Sequence, residues 1–286
     1  MNAPLPQSDK LSQLRAQLDA IDDQIHDLLM HRAAVVENVA RDGGKQGTKI
    51  RPGREAIILR RLLARHAGAL PPQAIVRFWR ELFGAALIIE GGQIVAVCDG
   101  EGGNERLALA REHFGPYTPV RRHANPVQTL ADLNRDSAQL AVLPPPSEGD
   151  DPQGGWWSML TAAGAHRLYV IARLPFWPKR FEGAPLGDAY VVAAVPPDPS
   201  GWDRGLISLE VGAETSRTRV TQVLKEAGFA TLAMWVRRVP GDTRFRALVE
   251  VEGLVADDDA RLAAIAGLDA APVVIGGYAV PLSEGS

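Results

Sequence analysis

Residues 11–41 read LSQLRAQLDAIDDQIHDLLMHRAAVVENVAR and decide the fold of the N-terminal part of the chain. Their apolar side chains recur at alternating intervals of three and four residues, the spacing of one stripe along a helix. This stripe consists of Leu11, Leu14, Leu18, Ile21, Ile25 and Leu28. We therefore predict a first helix that continues to about Asp42 and packs its stripe against another helix.

Two shorter helices are predicted to follow the first. The glycine-rich run 43–47 ends the first helix, and Pro52 stands where a first helical turn accommodates proline. The second helix is predicted over Arg54–His66 and the third over Gln73–Glu90. On the third, one row contains Ile75, Trp79, Leu82 and Ala86. A first helix of ~45 Å is longer than the two short helices can cover, so we expect it to pair with a second copy of the chain.

The composition is that of a globular protein. At 286 residues with 46% apolar content, two or three domains are expected. A formal net charge of −3 gives no reason to expect nucleic acid or an anionic membrane as a partner. The single cysteine, Cys98, fits a reducing compartment and is expected in the core of a strand. Without a secretory signal or a transmembrane run, a cytoplasmic location is expected.

Strands alternate with helices after Gly91-Gly92. We predict a small α/β lobe over residues 93–198, with buried strands at Ile94–Cys98 and Leu140–Leu143 and a helix over Trp157–Ala163. The segment 196–201, rich in proline and glycine, is predicted to be a linker.

Residues 203–283 follow the order βαββαβ, which is typical of a ferredoxin-like sandwich. Its two helices are predicted over Arg217–Gly228 and Asp257–Ala266. The fold class predicted for the whole chain is therefore a multidomain α plus α/β protein, with a helical domain at residues 8–92.

Charged residues interrupt the apolar rows of the three predicted helices. Arg32 follows Leu28 by four residues, Arg54 heads the row of the second helix, and Glu90 ends that of the third. Each arginine alone could be a snorkelling side chain or part of a helix-end salt bridge. The arginines in these rows outnumber the acidic residues, and a buried guanidinium is costly in free energy unless it is paired with an anion. A bound dicarboxylate would balance them.

The sequence resembles the all-helical chorismate mutase domain at the front of bifunctional mutase–prephenate dehydratase proteins. The residues that carry this resemblance are Leu14-Arg15, Asp22-Asp23, Leu28-Leu29 with Arg32, Arg51-Pro52-Gly53-Arg54-Glu55 and Arg77-Phe78-Trp79-Arg80-Glu81. The resemblance implies an intertwined homodimer in which the first helix is swapped, so that Arg15 reaches the partner's site. It also implies that Arg32 and Arg54 bind carboxylate or hydroxyl groups of chorismate beside Glu55.

Such a site needs no metal or cofactor, because chorismate rearranges to prephenate in one pericyclic step. Arginine forks can hold both carboxylates in the reactive shape, and donors near the ether oxygen stabilise developing negative charge. Glu90 is included among the catalytic candidates, and Lys45, Arg51 and Ala86 among the substrate-binding ones.

Three positions depart from the pattern of this family. Gly43 stands where the family has a lysine that donates to the ether oxygen, and Lys45 replaces that donor only if the glycine-rich loop folds inward. Glu90 stands where many members have a glutamine, so it would have to be protonated, and the mutase rate is expected to rise toward lower pH. Arg51 stands where an acid is frequent.

The lobe at residues 93–198 resembles the opening part of a prephenate dehydratase but lacks that family's catalytic runs. A Thr-Phe-Ser run is expected at Gly103-Asn104-Glu105 and a Glu-Asn-Ser run near Pro146-Ser147-Glu148, and neither is present. Thr243-Arg244-Phe245 has the sequence of the catalytic triplet of the family, but it lies inside the predicted ferredoxin-like unit. We therefore interpret it as a chance sequence at the edge of a strand. Dehydratase activity is therefore not expected.

Residues 203–283 resemble an ACT domain, especially at Val249-Glu250-Val251-Glu252-Gly253-Leu254. The usual amino-acid-binding signatures of that domain are absent, so dimerisation and the sensing of an aromatic amino-acid effector both remain open. The leading hypothesis for the whole chain is a chorismate mutase of phenylalanine and tyrosine biosynthesis. The alternatives are a non-catalytic regulatory protein that retains the mutase fold and an active mutase–dehydratase.

Overall fold

The structure is a computed structural model that describes residues 7–42, 49–100, 104–148, 155–161, 166–178, 182, 184, 187–238 and 244–282. The described residues form two units. The first consists of residues 7–42 with 89–91, and the second of the other described residues between 49 and 282. Each unit is described by itself.

The first unit is dominated by one long helix, α1, at Gln7–Asp42. The segment contains neither proline nor glycine and is rich in alanine, leucine and glutamine, which favour helix. Asp9 in the first turn and Arg41 in the last complement the helix dipole. All six residues of the predicted stripe are exposed, from 44% at Ile25 to 68% at Leu28. The predicted helix is confirmed, and in a single chain its apolar stripe is not buried.

Helices α2 at Pro52–Ala64 and α3 at Pro72–Ile89 begin with prolines that suit a first helical turn. Ala56 and Leu59 of α2 and Val76 and Phe83 of α3 share one apolar cluster. The same cluster contains Phe176, Ala279 and Leu282 from the β-rich part of the second unit. Both short helices therefore pack on that part of the chain.

The second unit is built on one mixed sheet of nine strands. The strands are β1 (Val95–Cys98), β2 (Val120–His123), β3 (Leu140–Leu143), β4 (Tyr169–Leu174), β5 (Ala189–Ala193), β6 (Asp203–Gly212), β7 (Thr231–Arg238), β8 (Arg244–Glu252) and β9 (Val273–Ala279). Their order across the sheet is β2-β1-β3-β5-β4-β9-β6-β8-β7. β1 pairs in parallel with β2 and β3, and β5 pairs antiparallel with β3 and β4.

Helices and 3₁₀ segments connect these strands. The helices are α4 (Glu105–Phe114), α5 (Pro126–Asn134) and α6 (Arg217–Glu226), and the 3₁₀ segments are Trp156–Thr161 and Ala260–Ala264. The helices predicted at Trp157–Ala163 and Asp257–Ala266 are thus single 3₁₀ segments where the structure describes them. The short strand β2 was not predicted, because Arg121 and Arg122 on this sheet edge are exposed and hide its apolar pattern.

Residues 203–282 follow the predicted chain order, with a 3₁₀ segment in place of the second helix. Within the sheet, β6 lies between β9 and β8, with antiparallel pairing to both, and β7 lies outside β8. β9 also pairs in parallel with β4 at Val170 and Gly276, so one sheet runs through both predicted C-terminal domains. The chain therefore has an N-terminal helical region and a large mixed-sheet α/β part. The domain boundaries at 8–92, 93–198 and 203–283 stay predictions.

The central strands bury both of their faces. In β1, Ala96 and Cys98 belong to one apolar cluster, and Val95 and Val97 belong to another. This alternation is the period of two that an extended strand imposes. Cys98 is fully buried in β1, as the sequence predicts.

None of the helices in the described ranges combines the length and hydropathy that a membrane span requires.

The pairing of β4 with β9 depends on a glycine. Gly276 has φ +122°, and a Cβ atom there would lie 2.1 Å from the carbonyl oxygen of Val170. We expect Gly276→Ala to lower the free energy of unfolding by at least about 3 kcal/mol, because backbone strain and a clash add. Gly68→Ala is the control, since Gly68 has φ +96° with open space around it, and should cost about 1 kcal/mol. Urea denaturation measures both variants, and equal losses would contradict the role of the close approach.

Candidate functional site

The predicted site residues lie in both units of the structure. In the first unit Arg15 is exposed, while Arg32 and Glu90 are half-buried. In the second unit Arg51 and Arg54 are exposed at the start of α2, Glu55 is buried, and Ala86 is half-buried on α3. Lys45 and Gly43 lie outside the described residues.

Glu55 forms a buried ion pair with a residue that was not predicted for the site. Arg80 of α3 donates from Nη1 to Glu55 Oε2 at 2.5 Å. The two side chains are only 8% and 11% exposed. The Arg80 guanidinium also lies over the rings of Phe83 and Phe176, 5.7 and 5.1 Å from their centroids. Arg80 therefore has both an anion and two aromatic faces as neighbours.

His113 of α4 completes this buried group. Its Nε2 lies 3.4 Å from Arg80 Nη1. Burial, reinforced by the charge of Arg80, lowers the pKa of His113 well below its usual value. A neutral ring can accept a hydrogen bond from Arg80 through Nε2, which assigns the proton to the other ring nitrogen. Burial also lowers the pKa of Arg80, and Glu55 opposes that shift.

Arg80 was not predicted because the apolar row recognised in the sequence of α3 is not the face that the helix buries. The row Ile75, Trp79, Leu82 and Ala86 is only half-buried. The buried residues of α3 are Val76, Arg80, Phe83, Gly84 and Leu87. A charge four residues after Val76 and three before Phe83 was the available signal, since these spacings place the three on one helix face.

The first turn of α2, which carries Arg54 and Glu55, is held by the segment that was predicted to be a linker. The backbone N–H groups of Gly53 and Arg54 each donate to the carboxylate of Asp198 at 2.9 Å. A Cβ atom at position 53 would lie 2.2 Å from the carbonyl oxygen of Asp198, so only glycine permits this approach. Asp198 thereby satisfies two orphan donors of the helix and complements its dipole.

A second anchor lies two turns further along α2. Arg60 donates to Ser200 Oγ at 2.9 Å, to the Trp202 carbonyl at 3.1 Å and to the Val280 carbonyl at 2.7 Å. Burial lowers the pKa of Arg60, and Asp203 opposes the shift. Through Asp198 and Arg60, the start of β6 and the end of β9 fix the position of α2, and hence of Glu55.

A cavity of about 570 Å³ lies beside the Glu55–Arg80 pair, wholly within the second unit. Its lining comes from α3, from the end of α4 and from the segment after β4. Val76, Leu109, Phe176 and Trp177 contribute apolar surface, and Arg80 and His113 contribute buried polar groups.

A further polar group lies on the sheet, on strands β4, β5, β8 and β9. Arg173 donates to Asp188 at 2.6 Å, and the Tyr278 hydroxyl donates to Glu250 at 2.8 Å. The rings of Tyr190 and Tyr278 meet edge to face at 5.6 Å. Burial raises the pKa of Tyr190 to about 12 and raises that of Tyr278 as well. Arg244 and Phe245 of the chance triplet lie at the start of β8, and Phe245 is buried in the core next to α6.

The lowered pKa of His113 leads us to expect that the stability of the protein depends on pH. The folded protein keeps the ring neutral, whereas the unfolded chain takes up a proton below about pH 6.5. The unfolded state then binds more protons, so stability should fall by about 1.4 kcal/mol per pH unit as the pH drops below that value.

Urea unfolding between about pH 7 and about pH 5 tests this contribution. His113→Gln can still accept from Arg80 but cannot titrate, so its stability should fall less steeply than that of the wild type. The control is His31→Gln, at an exposed position of α1. If His113→Gln and the wild type lose stability in parallel, His113 does not carry the dependence.

Comparison with known proteins assigns the N-terminal region. Residues 14–90 match the family described as chorismate mutase type II. A bifunctional chorismate mutase/prephenate dehydratase from Stutzerimonas stutzeri is 31% identical over 146 residues, which cover 49% of this chain and 40% of that protein. Its counterpart from Pseudomonas aeruginosa is 30% identical over 140 residues, covering 47% and 37%. The chain thus spans about two fifths of the length of these relatives.

A solved structure shares the fold of the larger part. GqqA, described as a novel type of quorum quenching acylase, superimposes with a TM-score of 0.50 at 19% identity. The match covers 68% of this chain and 97% of GqqA, and at that identity it shows a common fold alone. Residues 14–90 are therefore a chorismate mutase type II domain, in a chain that is homologous to bifunctional chorismate mutase/prephenate dehydratases.

Proposed function

We propose that this protein is a chorismate mutase that converts chorismate to prephenate in the biosynthesis of phenylalanine and tyrosine. The observation that carries the proposal is the family match over residues 14–90, which spans every predicted site residue from Arg15 to Glu90. The name of the curated relatives, bifunctional chorismate mutase/prephenate dehydratase, supports the same substrate.

The proposed catalysis depends on positioning and charge. Arg15, Arg32 and Arg54 hold the two carboxylates, and each charge-assisted hydrogen bond contributes about 1.5–3 kcal/mol. Cationic or hydrogen-donating groups near the ether oxygen stabilise the negative charge that develops as its bond to carbon breaks. Arg51, Lys45 and Ala86 line the same site in this proposal, and no nucleophile or general base is required.

Glu55 acts in this proposal as a fixed hydrogen-bond acceptor for the substrate hydroxyl. Its ion pair with Arg80 supports this role, because the guanidinium holds the buried carboxylate in one position. A carboxylate that an ion pair already fixes in place loses little freedom when it accepts a hydrogen bond from a ligand. Arg80 is accordingly a positioning residue.

We propose a homodimer in which α1 is exchanged between copies. The support is the stripe of exposed leucines and isoleucines along α1, which in a single chain faces water. Exposed apolar surface of this length marks an interface, and a second copy offers an identical stripe. In such a dimer Arg15 serves the site of the partner.

The remaining part of the chain serves regulation or assembly in this proposal. The lobe at residues 93–198 is a dehydratase-like region without dehydratase activity, because the catalytic runs of that family are missing. Residues 203–283 are an ACT-like domain that dimerises or binds an aromatic amino acid. The strand order β9-β6-β8-β7 supports a ferredoxin-like unit there. The protein acts in the cytoplasm.

Turnover of chorismate by the purified protein tests the central proposal. We expect the absorbance of chorismate to fall and the product, prephenate, to yield phenylpyruvate only after acid treatment. Arg32→Ala should lower kcat/KM by roughly 100-fold through the loss of a charged contact of about 3 kcal/mol. Arg135→Ala, at an exposed position after α5, should leave the rate unchanged.

The other outcomes distinguish the alternatives. Absence of turnover above background would favour a non-catalytic protein that retains the mutase fold. Phenylpyruvate formed without acid would identify an active mutase–dehydratase. An Arg32→Ala variant with nearly normal activity would mean that the site lies elsewhere.

The proposed role of Glu90 near the ether oxygen leads us to expect a particular pH profile of the reaction. If it donates a proton to the ether oxygen, kcat/KM should rise from about pH 8 to about pH 5. Glu90→Gln should flatten this profile and raise the rate at the alkaline end, because an amide donates a hydrogen bond at any pH. Glu37→Gln, at an exposed position of α1, is the matched control. A wild-type profile that is flat or rises with pH would contradict the role.

A further inference from the structure

The cavity beside Arg80 is not part of the proposed mutase site. None of the predicted site residues in the described ranges lines it, and it lies entirely within the second unit. Its volume of about 570 Å³ falls within the range of small-molecule sites. It therefore has the size of a separate ligand site.

Aromatic side chains form one wall of the cavity. Phe176 and Trp177 follow β4 directly, and Leu174 and Pro175 precede them in the same wall. Val76 of α3 and Leu109 of α4 extend the apolar surface. Flat aromatic walls favour a planar ring, which gains both apolar burial and stacking or edge contacts.

Polar groups at the cavity indicate that the ligand also carries a negative charge. Three arginines, Arg77, Arg80 and Arg111, line it against two glutamates. Arg80 contacts both Glu55 and His113 through Nη1, at one end of its guanidinium. A guanidinium presents five donors in a fixed fork, which suits it to binding a carboxylate as well as the residues it already contacts.

Trp177 provides an independent observation. Its indole N–H is buried and, among the described residues, has no hydrogen-bond partner. A buried donor without an acceptor costs about 1–3 kcal/mol, and an oxygen of a bound ligand would satisfy it. Arg80 and Trp177 thus both offer donors at one cavity.

We propose that this cavity binds an aromatic carboxylate, whose ring packs against Phe176 and Trp177 and whose carboxylate accepts hydrogen bonds from Arg80. Because His113 is neutral, the buried positive charge at the cavity comes from Arg80, and Arg77 and Arg111 add exposed positive charge. Binding at this cavity does not require mutase activity, so a failure of the mutase proposal would leave this one unaffected.

Calorimetric titration of the full-length protein with indole-3-propanoate tests the proposal. We expect sub-millimolar binding, because the compound combines a planar ring with a carboxylate on a short chain. Indole-3-propanamide keeps the ring but lacks the charge and should bind at least roughly tenfold more weakly, since a charge-assisted hydrogen bond is lost. Propanoate, which lacks the ring, should not bind measurably. Equal affinity for the acid and the amide would overturn the assignment of an anion site.

Two sets of variants locate the binding. Ala74→Phe fills the cavity from α3 and should abolish binding, whereas Ala64→Phe, at an exposed position of α2, should leave it unchanged. Arg77→Gln should weaken binding several-fold through the loss of nearby positive charge, while Arg61→Gln, exposed on α2, should not.

Arg80 is tested together with its partner. The double variant Glu55→Gln with Arg80→Met removes the buried pair as a pair, which costs far less stability than removing one charge. It should lose the preference for the acid over the amide. Urea unfolding checks its fold, and if it does not fold, Ala74→Phe decides the question. Unchanged binding by Ala74→Phe would place the ligand elsewhere and overturn the proposal.

Discussion

The buried ion pair between Glu55 and Arg80 is the interaction on which the arrangement of the short helices depends. It joins α2 to α3, and both side chains are buried. Removing one partner from such a pair leaves an uncompensated buried charge, which costs about 3–5 kcal/mol. Because α4 contributes His113 to the same group, the pair also connects α2 and α3 to the helix of the first βα crossover of the sheet. The register between these three helices is therefore set by charge as well as by apolar packing.

Contacts that are distant in sequence hold this pair in place. Asp198 caps α2 across 145 residues, and Arg60 reaches the Val280 carbonyl across 220. The β-rich part of the chain is consequently a scaffold for α2. This explains why the segment at 196–201 cannot act as a free linker, since its aspartate is a structural cap.

The sequence was sufficient to predict what depends on local periodicity. The long helix α1, the two short helices, the buried strand with Cys98 and the βαββαβ order all follow from spacing and from proline or glycine positions. The edge strand β2 was missed because its exposed arginines conceal the alternation. The face of α3 was assigned to the row of Trp79 and not to that of Arg80, because an arginine counts against burial until its partner is known. The cap by Asp198 and the cavity could not be predicted, since the cap spans 145 residues and the cavity is formed by three segments that are separate in the sequence.

The sequence predicts that the core-facing arginines Arg32 and Arg54 need an anion. In the structure it is Arg80, which is not among them, that is buried and paired with an anion. Among the described residues Arg80 is the arginine that is buried, and the chain supplies its anion as Glu55. Arg15 and Arg54, by contrast, are exposed in a single chain. An arginine that the chain does not bury needs no internal partner and keeps its charge available. The same physical argument therefore separates two kinds of arginine: Arg80 is paired with Glu55 inside the fold, whereas Arg15 and Arg54 remain exposed in a single chain.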